Sequence, residues 1–296
     1  MTHSYRLVAV PVAGGDLAVG VWEPIGTARA DVLLVHGITS SHLVWTELAR
    51  RLPGVRLIAP DLRGRGRSEV DGESGLAAHA DDLDAVLEAL GIPRALVVGH
   101  SMGAFVAVVL AHRHPDRVAR LLLIDGGLPL DVPAGLDPDR LIGDILGPTA
   151  ARLSMRFDGE DDYFDFWREH PAFAGAWSEA LERYFAYDLV DDGEGGLRPV
   201  TRYETAAADT VDMNRGRALP EALAALAHPT TLVTVPRGLR GEPPGLYAPE
   251  YLARILPDHP GVVHERRDGF NHYTILLTAA GAEAVAPYVV RELAAP

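Results

Sequence analysis

Ser101 lies in Gly99-His100-Ser101-Met102-Gly103, a G-x-S-x-G pattern set between the apolar run Ala95-Leu96-Val97-Val98 and the apolar stretch from Ala104 to Leu110. A serine on a strand-to-helix turn presents its hydroxyl as a nucleophile, and the flanking glycines leave room where larger side chains would collide. A hydroxyl is a weak nucleophile at its own pKa, so it needs a base, and the base needs an acid to orient it. His272, in Gly269-Phe270-Asn271-His272-Tyr273, directly follows the last strand-like run and is the candidate base. His228, His259 and His264 fall before that loop. His112 and His114, two residues apart on a helix, point to different faces and suit neither the base nor a shared metal ion. Asp125 closes the apolar run Leu121 to Ile124, and an acid at a strand's carboxyl end is well placed to face the histidine.

These groups need a scaffold. Asp31 to His36, Val55 to Ala59, Ala95 to Val98 and Val118 to Ile124 read as buried strands, with a helix expected from about Leu76 to Leu90 and another from Ser101 to His114-Pro115. Such alternation predicts a mostly parallel sheet with helices on both faces. Tyr5 to Val10 and Asp16 to Trp22, joined across Gly14-Gly15, read as an antiparallel edge hairpin. After Asp125 the composition turns to proline, acids and aromatics, with helix-like pieces at Asp161 to Glu169 and Ala174 to Tyr187 and no good strand. The core pattern returns with strands at Thr230 to Val235 and Val262 to Arg267 and helices at Pro249 to Leu256 and Ala279 to Leu293. The division expected is therefore a core of residues 1–125 and 217–296 with a helical cap at 126–216. Within the cap, Asp191 to Gly196 reads as an acidic, glycine-rich loop.

The 296 residues are 48% hydrophobic and 23% charged, with no apolar run long enough to span a bilayer. Residues 1–6 lack the pattern of an export signal, so a cytoplasmic location is expected. Cysteine is absent, which removes disulfides, thiolate metal sites and cysteine nucleophiles. Lysine is absent too, which excludes Schiff-base chemistry, a phosphate-binding Walker lysine and Ser-Lys dyads. All 27 basic residues are arginine against 41 acidic ones, and the net charge of −14 disfavours nucleic acid and strongly anionic substrates.

His36-Gly37, the run Asp61-Leu62-Arg63-Gly64-Arg65-Gly66-Arg67-Ser68, the turn at Ser101 and the late His272 together resemble the α/β-hydrolase superfamily in order and approximate spacing. The resemblance covers roughly residues 5–125 and 228–293. It implies the α/β-hydrolase fold, an eight-stranded sheet, and serine hydrolase chemistry without metal or cofactor. It also implies an oxyanion hole built from the backbone N–H groups of Ile38 and Met102. Most members carry the acid as an aspartate in the loop occupied here by Pro236 to Glu242, which has none and offers Glu242 as the alternative acid to orient His272. Asp125 matches the alternative position, after the sixth strand, seen in some haloalkane dehalogenases and resorcylic lactone hydrolases.

The expected activity is cleavage of a carboxylic ester or lactone of a neutral, partly hydrophobic small molecule. Carbon–carbon bond hydrolysis, thioester release and cofactor-free perhydrolysis use the same triad, and a ligand-binding homologue without turnover is the reading from another class. His36, Trp45, Met155, Phe157, Tyr163 and Trp167 are candidate pocket residues, the aromatics among them serving equally well as core. Gly64-x-Gly66 has Glu69 where a dinucleotide fingerprint requires glycine and reads as a family turn. Arginines 63, 65 and 67 resemble an anion site, yet alternate arginines in a loop are usually solvated or paired with acids. No nucleic-acid or membrane partner is expected, and a homo-oligomer is left open.

Overall fold

The computed structural model describes residues 2–132, 143 and 147–295; the rest of the expected cap segment lies outside the described residues. The first strands are β1 (His3–Val12), β2 (Gly15–Pro24), β3 (Ala30–Val35), β4 (Val55–Pro60) and β5 (Glu69–Val70). They are followed by β6 (Ala95–His100), β7 (Val118–Ile124), β8 (Leu189–Asp191), β9 (Leu197–Pro199), β10 (Thr230–Thr234) and β11 (Val262–Arg266). The main sheet runs β1-β2-β4-β3-β6-β7-β10-β11, with the two-residue β5 paired to β2. From β4 to β11 every pairing along this path is parallel, whereas β1 and β2 form an antiparallel hairpin whose β2 joins β4 antiparallel.

Side chains alternate between the two faces of a strand, and in the centre of this sheet both sets are apolar. Leu33, Val35, Val97, Leu121 and Leu123 enter one core, with helices α2 (Leu76–Ala89) and α3 (Met102–Arg113). Val32, Leu34, Leu96, Val98, Leu122 and Ile124 enter the other, together with Leu48 of α1 (Thr46–Ala49) and Val285 and Val289 of the closing helix Ala279–Ala294. Each such fully buried Val or Leu contributes about 1.5–3 kcal/mol. The two cores hold the carboxyl ends of β3, β6, β7 and β10 in fixed register, and the candidate residues hang from those ends.

Between β7 and β10 lie the helices Pro148–Arg152, Glu160–Arg168, Glu179–Tyr187 and Tyr203–Arg215 and the ribbon of β8 and β9. The ribbon departs from the expectation of no strand there. Its three-residue strands are too short to show alternation in sequence, and the acidic glycine-rich run is the turn that joins them. The expected helix from Ala174 starts later, at Glu179: Gly175 takes a φ of 71°, and Ser178 caps the helix by accepting the Leu181 N–H. Helix Ala218–Ala224 packs against α3. Among the described residues, no helix is long and apolar enough to cross a membrane.

Candidate active site

Among the described residues, two that are not glycine have positive φ, Ser101 at 53° and Asp125 at 47°. Such conformations cost about 1–3 kcal/mol each and persist where surrounding structure enforces them. At Ser101 the chain leaves β6 and enters α3 without a connecting loop. A Cβ on Gly99 would sit 2.3 Å from the Gly103 carbonyl oxygen, and one on Gly103 would sit 2.0 Å from that of Val35. The motif glycines are thus required by close backbone approach, and neither has a positive φ. The Ser101 N–H donates to Ile124 O at 3.0 Å, fastening the turn to the end of β7 next to Asp125.

Asp125 continues the ladder to β10, its N–H donating to Val233 O at 2.8 Å. Its Oδ2 accepts from His272 Nδ1 at 2.6 Å, with both side chains buried. That bond occupies Nδ1 and leaves Nε2 as the ring nitrogen free to face the cavity. The loop lacking an aspartate holds His272 by its backbone instead, the His272 N–H donating to Arg237 O at 3.0 Å. Glu242 lies in the same loop with its side chain beside Gly238. The carboxylate that reaches His272 is Asp125.

His100, inside the serine motif, was not singled out by sequence. Its Nε2–H donates to His272 O at 2.9 Å, and its ring lies 4.6 Å from that of His272. Burial, reinforced by His272, pushes its pKa well down, so it stays neutral beside the candidate base.

Ser101, Met102, Ile38 and His272 line one largely apolar cavity. Met102 is the first residue of α3, so its N–H has no partner inside the helix. The Ile38 N–H makes none of the backbone hydrogen bonds among the described residues. His36 sets the direction of that group. Its Nε2 accepts the Leu62 N–H at 3.0 Å, so Nδ1 carries the hydrogen and donates to Gly37 O at 2.8 Å. In a trans peptide the C=O and N–H point opposite ways, so holding the Gly37 carbonyl aims the Ile38 N–H away from His36. Burial lowers the His36 pKa to about 4, which keeps this tautomer in place at neutral pH.

Of the six expected pocket side chains, Trp167 alone lines the cavity, stacked on Phe185 at 4.5 Å. His36 lies behind the lining. Trp45 is fully buried among Leu48 and Leu52 in the core. Phe157 and Tyr163 pack edge to face, with the Tyr163 hydroxyl bound to Asp188, and Met155 is exposed at the surface. Aromatic content alone does not separate a cap's own core from its inner wall. The helical spacing of Leu181, Tyr184, Phe185 and Asp188 would have found the wall, since the last three line the cavity and the Tyr184 hydroxyl donates to Ser40 Oγ at 2.8 Å.

The three loop arginines are partnered. Arg63 forms two 2.8 Å bonds to Asp82, Arg65 lies 2.6 Å from Asp209, and Arg67 covers the Tyr187 ring at 4.4 Å. Among the described residues no three His, Asp or Glu side chains are grouped to hold a metal ion.

Over 140 residues the chain is 40% identical to Lipase LipV of Mycobacterium tuberculosis (strain ATCC 25618 / H37Rv), a match covering 46% of this chain and 53% of LipV. The chain spans about half the length of the curated relatives it matches. In three dimensions it is similar to E-2-(acetamidomethylene)succinate hydrolase, with a TM-score of 0.78 and 22% identity over 97% of this chain and 100% of that one. It is also similar to the thioesterase domain from the curacin biosynthetic pathway, with a TM-score of 0.75 and 23% identity over 97% and 99% of the two chains. At such identities the likeness concerns the fold. The alpha/beta hydrolase fold family matches residues 32–188, more than half of the sequence, and the chain belongs to that family.

Proposed function

We propose that the protein is a serine hydrolase that cleaves a carboxylic ester or lactone of a neutral, partly hydrophobic small molecule through an acyl-enzyme. The observation that carries this reading is the buried 2.6 Å pair of Asp125 and His272 at the cavity that Ser101 also lines. Ser101 Oγ attacks the substrate carbonyl carbon while His272 Nε2 takes its proton. The oxyanion forms against the N–H groups of Ile38 and Met102. The tetrahedral intermediate collapses by expelling the alkoxide, which receives the proton from His272. Water then attacks the acyl group with His272 again as base, and the acid and free Ser101 are released. Asp125 keeps His272 in the productive tautomer and stabilises the imidazolium. Apolar lining by Val44, Phe105, Met213 and Leu246 favours an uncharged acyl chain.

The described residues of 126–216 serve in this reading as a cap over the carboxyl ends of the core strands, supplying Trp167, Tyr184 and Phe185 to the wall. The lipase among its relatives agrees with ester chemistry.

The test is a fluorophosphonate probe with a panel of esters, lactones and thioesters, applied to wild type and to Ser101→Ala. Labelling and turnover that both vanish in the variant are expected. Folded wild type that neither labels nor turns over any member would favour a ligand-binding homologue instead.

A further inference from the structure

Arg65 is fully buried, and its guanidinium joins three separate pieces of chain. Nε donates to Ile38 O at 2.9 Å, Nη1 donates to Arg63 O at 2.9 Å, and Nη2 lies 2.6 Å from Asp209 Oδ2 in an ion pair without hydrogen-bond alignment. Asp209 belongs to helix Tyr203–Arg215 and is also fully buried, accepting from Ser74 Oγ at 2.6 Å and lying 3.2 Å from His79 Nε2. Burial alone would raise its pKa; Arg65, His79 and Ser74 outweigh that and hold it below the usual carboxylate range. The next residue, Thr210, and Met213, one turn on, line the cavity.

The two peptide units that meet at Ile38 are therefore each gripped by a side chain. His36 holds the carbonyl before it and Arg65 the carbonyl after it. An unpaired buried cation costs several kcal/mol, so the position of Arg65 depends on its counter-ion. That counter-ion rides on the helix whose Thr210 and Met213 line the cavity.

We propose that Arg65 is a positioning residue that couples helix Tyr203–Arg215 to the oxyanion loop, so that acyl-chain contacts with Thr210 and Met213 steady the Ile38 N–H. This rests on the reading of Ile38 as an oxyanion donor. A displacement of about 1 Å at such a donor is enough to cost roughly 10²-fold in rate.

The experiment compares Asp209→Asn with Asp212→Asn on p-nitrophenyl acetate and octanoate. Asp212 ties the same helix to the core by accepting the Leu76 N–H at 2.7 Å but has no bond to Arg65. Asp209→Asn is expected to lower kcat on octanoate about 10- to 100-fold, with KM within about threefold and a smaller loss on acetate, whereas Asp212→Asn leaves kcat within about twofold. Equal kcat losses in the two variants, or a change confined to KM, would overturn the coupling. Should Asp209→Asn fail to fold, Arg65→Lys keeps the charge beside Asp209 and gives up the fixed Nε contact to Ile38. Its octanoate kcat should fall by a similar factor, and an unchanged kcat overturns the proposal. Fluorophosphonate labelling of wild type separates the two levels: an unlabelled wild type refutes the hydrolase reading itself, while a labelled wild type with unaffected variants refutes the coupling alone.

Discussion

Replacing Asp125 by asparagine removes one charge from a buried pair 2.6 Å apart while keeping side-chain volume. In the proposed mechanism His272 becomes an imidazolium during turnover, and the Asp125 carboxylate is the group that would stabilise it. With charge centres about 3.5 Å apart and an effective dielectric of about 20, the interaction is worth roughly 5 kcal/mol, or about 10³- to 10⁴-fold in rate. The amide also has its own N–H to offer Nδ1, which would move the ring hydrogen to Nε2 and remove the base. Initial rates on p-nitrophenyl butyrate at neutral pH, with a thermal melt to establish folding, measure the effect. Asp125→Asn should lose kcat by about three orders of magnitude or more, and Glu242→Gln should stay within about threefold of wild type. Folded Asp125→Asn retaining more than about a tenth of wild-type kcat would refute the assignment, most sharply if Glu242→Gln were the inactive variant.

Further outcomes follow from the same geometry. Gly103→Ala forces a Cβ to 2.0 Å from Val35 O, so it should destabilise by about 3 kcal/mol or more, seen as a lowered urea midpoint; an unchanged midpoint would contradict the close approach. The folded pKa of His36, about 4, lies below its ordinary 6.5, so the unfolded chain binds more protons between those values. Stability from this group is complete above about pH 6.5 and lost as pH falls towards 4, a span of about 3 kcal/mol; chemical denaturation of His36→Gln should show a correspondingly shallower decline, and identical slopes would discount the burial effect. Met213→Trp fills cavity space beside Thr210 and should shift the preferred acyl chain of ester substrates to shorter lengths, whereas an unshifted profile would place the acyl group elsewhere.

Several elements and part of the candidate site were legible before any coordinates. Strand β7 matches its expected bounds, and β6, α3 and the closing helix fall within a residue or two of theirs, because continuous apolar runs and long apolar helical faces are local signals. Ser101 and His272 were equally visible, since a strand–turn–helix motif and a histidine after the last strand depend on neighbours in sequence. The two-residue β5 and the ribbon of β8 and β9 carry too few residues for a pattern.

By itself, then, the sequence determined the sheet, the turn that strains Ser101, the histidine and the shortlist of two acids. Tertiary structure decided which acid reaches the histidine: β7 lies beside both β6 and β10, so the end of β7 brings Asp125 to His272 across 147 residues of chain while Glu242 remains with its own loop. It also decided that Trp167 faces the cavity while Phe157 and Tyr163 pack inward, and that Arg65 finds Asp209 rather than solvent. Hydrophobic periodicity reports which face of an element is buried, but not against what. The partner of a buried charge, or the wall of a cavity, is set by contacts between segments far apart in sequence, which no local pattern encodes.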